Sequence, residues 1–208
     1  MIRLAEKRDI PAMLRIYAPH VARTTVSMEY EVPTLAEFEA RFERITSKYP
    51  WLVWDEEGEV AGYAYADAAL SRAGYRWDAD MSIYLAPEAQ HTGIGHALYG
   101  CLERIMALLG YRWLYALITS TNKTSCAFHE RRGYVLHGTL RKSGFKFGRW
   151  LDVYWYALEI AGDAPPSAPP RSFSMEMPEW ESMAKEYSES VRFRSKCPIG
   201  DSNPGHPD

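Results

Sequence analysis

The stretch AQHTGIGHAL, Ala89 to Leu98, sets Gly93 and Gly95 one residue apart where a strand-like segment, ADMSIYLAP, gives way to a helical one. A helix start exposes unpaired backbone N–H groups and about half a unit of positive charge, and glycines let an anion approach them closely. The chain is thus confined to folds in which a strand feeds directly into a helix, and the turn is chemically fit for a pyrophosphate. Two common pyrophosphate ligands fail on what else they need. A Walker-type loop requires Gly-Lys-Ser/Thr, whereas His96 and Ala97 follow Gly95. A dinucleotide-binding turn needs three glycines near the first strand and an acid about 20 residues further on. This turn has two, lies mid-chain, and LGYRWLYAL offers no such acid. By themselves the two glycines are read equally well as a tight strand-to-helix turn with no ligand.

Around the turn the hydrophobic periodicity predicts β-α-α-β-β-β-α-β-α-β-β. MIRLA is a strand, and a helix opens at Asp9 with Ile10, Met13, Leu14 and Tyr17 on one face. TLAEFEARFERITSKY carries Thr34 and Glu37 in capping-box spacing ahead of Leu35, Phe38, Phe42 and Ile45. WLVW and VAGYAYA flank DEEGE as a hairpin. The glycine turn opens a helix from Gly93 to about Leu109. RWLYALIT is a strand, TSCAFHERR a helix stopped by Gly133, and YVLHGTL and WLDVYWYALEI are two more strands. This order predicts an α/β (α+β) three-layer domain on a mixed sheet. FKFGRW, Phe145 to Trp150, reads as a loop whose aromatics pack at the sheet end or across a dimer contact, both readings being open.

After Ile160 the composition changes: 8 of the 13 prolines fall beyond it, beginning in AGDAPPSAPPRS. Residues 1–160 read as one folded domain and 161–208 as a proline-rich linker and acidic extension. The extension holds 8 acidic and 5 basic residues, which leaves 19 of each sign in the body. Behind Pro178, Trp180, Met183, Tyr187 and Val191 fall at helical spacing, as for a helix docked on the body. The net charge of −3 gives no general reason to bind nucleic acid or an anionic membrane. Three widely spaced cysteines, Cys101, Cys126 and Cys197, with no CxxC pair, argue against a disulfide framework or a zinc site and for a reducing cytoplasm. No apolar run approaches the ~20 residues that span a bilayer.

QHTGIGHAL resembles the Gln/Arg-x-x-Gly-x-Gly/Ala turn of the GNAT superfamily of N-acetyltransferases. NKTSCAFHERRGYVLHGTLRKSGFKFGRWLDV resembles that superfamily's phosphinothricin and methionine sulfone acetyltransferase branch, with N-x-x-S, L-H-E-x-x-G-F/Y and G-Y/F-K-F/H-G-x-W-x-D-V in order. The likeness covers roughly residues 1–160. It implies a mostly antiparallel central sheet flanked by helices, acetyl-CoA as co-substrate with no metal, a small amino-acid-like acceptor, and a homodimer. The amides of Gln90, His91, Thr92, Gly93, Ile94, Gly95 and His96 would hold the pyrophosphate. The backbone of Tyr84 and Leu85 would pair with the pantetheine arm, with Asn122 and Ser125 on its other side; a plain helix cap by Asn122 is the alternative.

Acetyl transfer to an amine needs a deprotonated nitrogen, a stabilised oxyanion and a proton for the thiolate. Asp80, four residues before Tyr84, stands where the branch usually carries glutamate. One methylene shorter, an ionised Asp80 favours a water-mediated route as base. His129 takes the branch's histidine slot and, titrating near neutral pH, would protonate the thiolate or assist as a base, both roles fitting. In LSRAGYRWDAD, Arg72 and Arg76 would clamp the acceptor's carboxylate and Tyr75 would wall the site. Met28 and Glu29 from RTTVSMEYE are expected in the same cavity. The leading function is acetylation of the α-amine of a small amino acid or analogue of the phosphinothricin, methionine sulfone or methionine sulfoximine type. A protein or peptide acceptor, or a CoA-binding sensor without catalysis, is the alternative.

Overall fold

The computed structural model describes residues 1–175 and 177–196; Cys197 and the end of the acidic extension lie outside the described residues. Strand β1 (Ile2–Leu4) is followed by a 3-10 turn (Lys7–Asp9), α1 (Ile10–Arg23), α2 (Leu35–Thr46), β2 (Trp51–Glu56), β3 (Glu59–Ala68) and β4 (Asp78–Leu85). Then come α3 (Ile94–Leu109), β5 (Trp113–Thr119), α4 (Lys123–Arg131), β6 (Val135–Lys146), β7 (Arg149–Glu159) and α5 (Pro178–Lys196).

Local signals place most of these elements. The Thr34 hydroxyl accepts the Glu37 amide at 3.3 Å and the Glu37 carboxylate accepts the Thr34 amide at 2.7 Å, so the capping box sets the start of α2. Glu57 and Gly58 both hold positive φ, 54° and 96°, the backbone of a two-residue hairpin between β2 and β3. The sheet order is β1-β2-β3-β4-β5-β7-β6, antiparallel except for β4 beside β5. One face carries α1 and α2: Tyr17 packs edge-on to Tyr84 at 4.9 Å, and Phe38 and Phe42 pack on Trp51. The other carries α3, whose Leu98, Leu102, Ile105 and Met106 are fully buried.

One segment differs from expectation and a second follows it. FKFGRW is the tip of a long hairpin: β6 runs to Lys146, β7 starts at Arg149, and Phe147 and Gly148 turn between them with φ of 50° and 73°. Phe145 and Trp150 pair across it, 41% and 62% exposed, so these aromatics do not pack at the sheet end. The helix expected behind Pro178 forms as α5 and lies on α3, with Met183 and Val191 buried.

Candidate active site

A gap in the sheet organises the site. β4 and β5 pair only over Asp78–Asp80 with Trp113–Tyr115. β4 runs on to Leu85 beside β3, and β5 runs on to Thr119 beside β7. Beyond Asp80 the two strands part, leaving the Met81–Leu85 edge without a strand partner on that side, with the Met81 carbonyl accepting the Tyr99 hydroxyl at 3.4 Å; a ligand's amides can pair there in the manner of an added strand.

Asp80 sits at the fork. It lies directly across from Asp67 of β3, and Arg44 of α2 holds Asp67 through two contacts of 3.0 and 2.7 Å. Asp80 Oδ1 is buried with no hydrogen-bond partner. Burial first, and then the Asp67 charge, push the Asp80 carboxyl up to about 7. The expectation of an Asp80 already ionised at neutral pH is therefore corrected: it titrates there. A second buried carboxylate oxygen without a partner, Glu29 Oε2, belongs to a side chain whose other oxygen pairs with Arg41. The Tyr84 phenol, pushed above its ordinary range chiefly by burial, feels the charges of both Asp80 and Glu29. Two carboxylate oxygens without partners, both acting on one tyrosine, suit this region to a cation such as an ammonium. Met28 fixes this loop, its Cε resting 2.2 Å from where a Cβ on Gly144 would stand.

At the head of α3, Gly93 takes a left-handed φ of 95°, and the first helical bond is Ala97 N–H to Gly93 oxygen at 3.1 Å. The amides of Gly95 and His96 precede that ladder, and the first turn holds no acidic residue. Thr92 spends its hydroxyl on the Ala89 carbonyl at 2.8 Å. His91 adds a second left-handed residue, φ 62°. Gly95 has its own reason: a Cβ there would meet Leu85 at 3.2 Å, so its absence brings α3 onto the free part of β4, with Ile94 buried behind it. Gln90 lies exposed at the mouth of the turn. The donor set fits a pyrophosphate held by amides.

Asn122 caps α4, its side-chain oxygen accepting the Ser125 amide at 3.2 Å. His129 differs from expectation. It is 3% exposed, its ring ringed by Tyr99, Phe128 and Tyr134 at centroid distances of 5.2, 5.2 and 5.1 Å. Nδ1 lies 2.8 Å from the Ser125 carbonyl, so Nδ1 carries the proton, and Nε2 accepts the Tyr99 hydroxyl at 2.9 Å. Burial pulls the imidazole down to about 4. The expectation that His129 titrates in the working range is corrected: it is neutral there, and both nitrogens are engaged.

Arg72, Tyr75 and Arg76 are gathered as expected, in a cleft of about 350 Å³ shared with Asp78, Lys48, and Pro169 and Pro170 of the extension. Met28 and Glu29 do not line it. They sit higher, beside Tyr17 and the hairpin, because the arginine loop enters at the N-terminal end of β4 while residues 27–29 hang on Tyr17 through Ser27 at 2.7 Å. Sequence reasoning passed over Asp67, Tyr99, Lys146 and the two prolines. The period-two run YAYADA, which puts Tyr63, Tyr65 and Asp67 on one face, carries the signal for Asp67. Lys146, 2% exposed, donates to the Val21 and Ser27 carbonyls at 2.7 Å each and so ties the hairpin to the loop that carries Met28.

A splayed mixed sheet, an amide-lined helix start beside the gap and a buried carboxylate at the fork define a CoA-dependent N-acyltransferase. The family model for the acetyltransferase (GNAT) domain matches residues 2–155, and the chain belongs to that family. It is 36% identical to the phosphinothricin N-acetyltransferase of Streptomyces viridochromogenes over 79% of this chain and 90% of the relative. It is 34% identical to an L-methionine sulfoximine/L-methionine sulfone acetyltransferase of Salmonella typhimurium, over 80% and 98%. A Sinorhizobium meliloti phosphinothricin acetyltransferase solved in complex with AcCoA superposes with a TM-score of 0.76 and 36% identity, over 85% of this chain and 96% of that one. The co-substrate is acetyl-CoA. Among the described residues no cluster of His, Cys, Asp and Glu could hold a metal ion, and no helix is long and apolar enough to cross a membrane.

Proposed function

We propose that residues 1–160 form an acetyltransferase domain that acetylates the α-amine of a small amino acid or analogue of the phosphinothricin, methionine sulfone or methionine sulfoximine type. The observation that carries this reading is the pair of orphaned buried carboxylate oxygens, Asp80 Oδ1 and Glu29 Oε2, on the face beside the strand gap. Acetyl-CoA supplies the activated acyl group. Gly93 to His96 hold its phosphates by backbone N–H groups, and the β4 edge at Tyr84 and Leu85 aligns its arm, with Asn122 and Ser125 across the gap. Asp80 takes the first proton from the acceptor's ammonium, directly or through one water. The acylated nitrogen must shed a second proton, which neutralises the departing thiolate, so the reaction balances without an imidazolium. His129 acts by orienting Tyr99 beneath the fork.

Arg72 and Arg76 receive the acceptor's carboxylate, with Tyr75 as a wall. Asp78 in their cleft and Asp80 at the fork share a strand face two residues apart, roughly 7 Å. That is a fitting span for one amino acid. Free, buried Cys101 and Cys126 suit a reducing cytoplasm. The exposed apolar side chains of β6, β7 and the turn that joins them, including Val135, Phe145, Phe147 and Trp150, support a homodimer through that hairpin. Thiol release from acetyl-CoA, measured with methionine sulfone, phosphinothricin and a lysine peptide side by side, tests the acceptor class. Turnover confined to the peptide would overturn it.

A further inference from the structure

The family match ends at residue 155, yet the chain continues into α5, and α5 docks on the helix that carries the phosphate turn. The two helices run antiparallel: Glu186 pairs with Arg104 at 2.8 Å, Tyr187 lies over Gly100, and Val191 reaches Gly93. Gly100 shows that the contact is built into α3. A Cβ there would fall 2.6 Å from the Tyr187 ring and 3.1 Å from the Arg132 guanidinium, so glycine is what admits the tyrosine. Arg132 in turn grips the Glu103 carboxylate and donates to the His96 carbonyl at 3.2 Å, which makes it part of the first turns of α3. At the far end, Val191 Cγ2 stands 4.0 Å from where a Cβ on Gly93 would be. Gly93 is the left-handed residue whose backbone aims the turn's amides. A third tie, the Ile2 amide donated to the Ser188 hydroxyl at 2.7 Å, holds α5 to the first strand.

We propose that Tyr187 and Val191 are positioning residues for acetyl-CoA: α5 braces the start of α3, and through it the amides that receive the pyrophosphate. The inference rests on the reading of Gly93 to His96 as the phosphate turn. A brace of this kind acts on donors that carry phosphates and spares one that lacks them. The comparison is therefore between acetyl-CoA and acetyl-pantetheine, which keeps the thioester and the arm but has no pyrophosphate, used by the full chain with methionine sulfone as acceptor.

Val191→Asp sets a carboxylate beside the turn, and Tyr187→Ala removes the ring over Gly100. Each is expected to raise the KM for acetyl-CoA at least 10-fold while kcat, the acceptor's KM and kcat/KM for acetyl-pantetheine hold within 2-fold; Tyr187→Phe should restore the acetyl-CoA KM. Equal loss with both donors in the two variants would show that α5 merely stabilises the fold, and no loss with either would show that it does not brace the turn. Both results overturn the proposal. Gly93→Val, measured in parallel, separates the two readings: if it fails to discriminate between the donors, the phosphate turn itself is misplaced and the role of α5 falls with it.

Discussion

Asp80 carries two burdens, a buried oxygen without a partner and a like charge across the strand, and both favour its protonated form. A carboxylate raised to about 7 is a stronger base than an ordinary aspartate, matched to drawing a proton from an ammonium near neutral pH. Because it must be ionised to act, kcat/KM should climb with pH through about 7 and flatten above it. Asp80→Asn should abolish that limb and cost on the order of 10² to 10⁴ in rate, whereas Asp80→Glu should keep it; an unchanged limb in the Asn variant would assign it to another group. His129 gives no matching falling limb, since burial holds it near 4. At the cleft, Arg76→Ala should raise the acceptor's KM with little change in kcat, because Arg76 is exposed and its loss strands no buried charge. Equal use of an amino acid and its carboxamide by the unaltered enzyme would remove the carboxylate role of that loop.

The elements that sequence alone located are those whose signals are local. The Thr34–Glu37 box, the Gly93 turn and the charged turn between β2 and β3 each act within a few residues, and each stands where it was expected. What stayed hidden comes from distant partners. The pKa of Asp80 depends on Asp67, thirteen residues earlier in the chain, and the neutrality of His129 on an aromatic cage drawn from α3, α4 and Tyr134. The hairpin tip escaped for another reason: Phe147 holds a left-handed φ that an Asn or Asp usually announces. That tip also carries a test of assembly. β6 is a long edge strand with exposed Val135 and Leu136, and Trp150 stands on its neighbour at 62% exposure. On the proposed homodimer through this hairpin, Trp150→Glu should shift sedimentation from dimer to monomer with the fold intact; a monomeric unaltered protein, or an unchanged mass in the variant, would remove the hairpin contact.

For the whole molecule, Asp80 and His129 set opposing slopes of stability against pH. The folded-state value of Asp80 lies above the unfolded value, so from about pH 4 to 7 the folded chain holds a proton that the unfolded chain lacks. Stability from this group is lost as pH rises through that window. His129 runs the other way: its folded value lies below the unfolded one, and from about pH 6.5 down to 4 the unfolded chain gains the proton. Stability from this group is lost as pH falls. Between about pH 4.5 and 6.5 the two therefore offset each other, and their joint contribution to the Tm should be nearly flat there. Each variant should expose the partner's slope: in Asp80→Asn the Tm climbs with pH across this range, and in His129→Asn it declines. Near pH 8 Asp80→Asn should melt above the unaltered protein, since it no longer buries a carboxylate, by roughly 2 to 4 °C per kcal/mol recovered. Parallel melting curves for all three proteins across the range would show that neither group is perturbed in the folded state, and would remove the physical basis for Asp80 as the base.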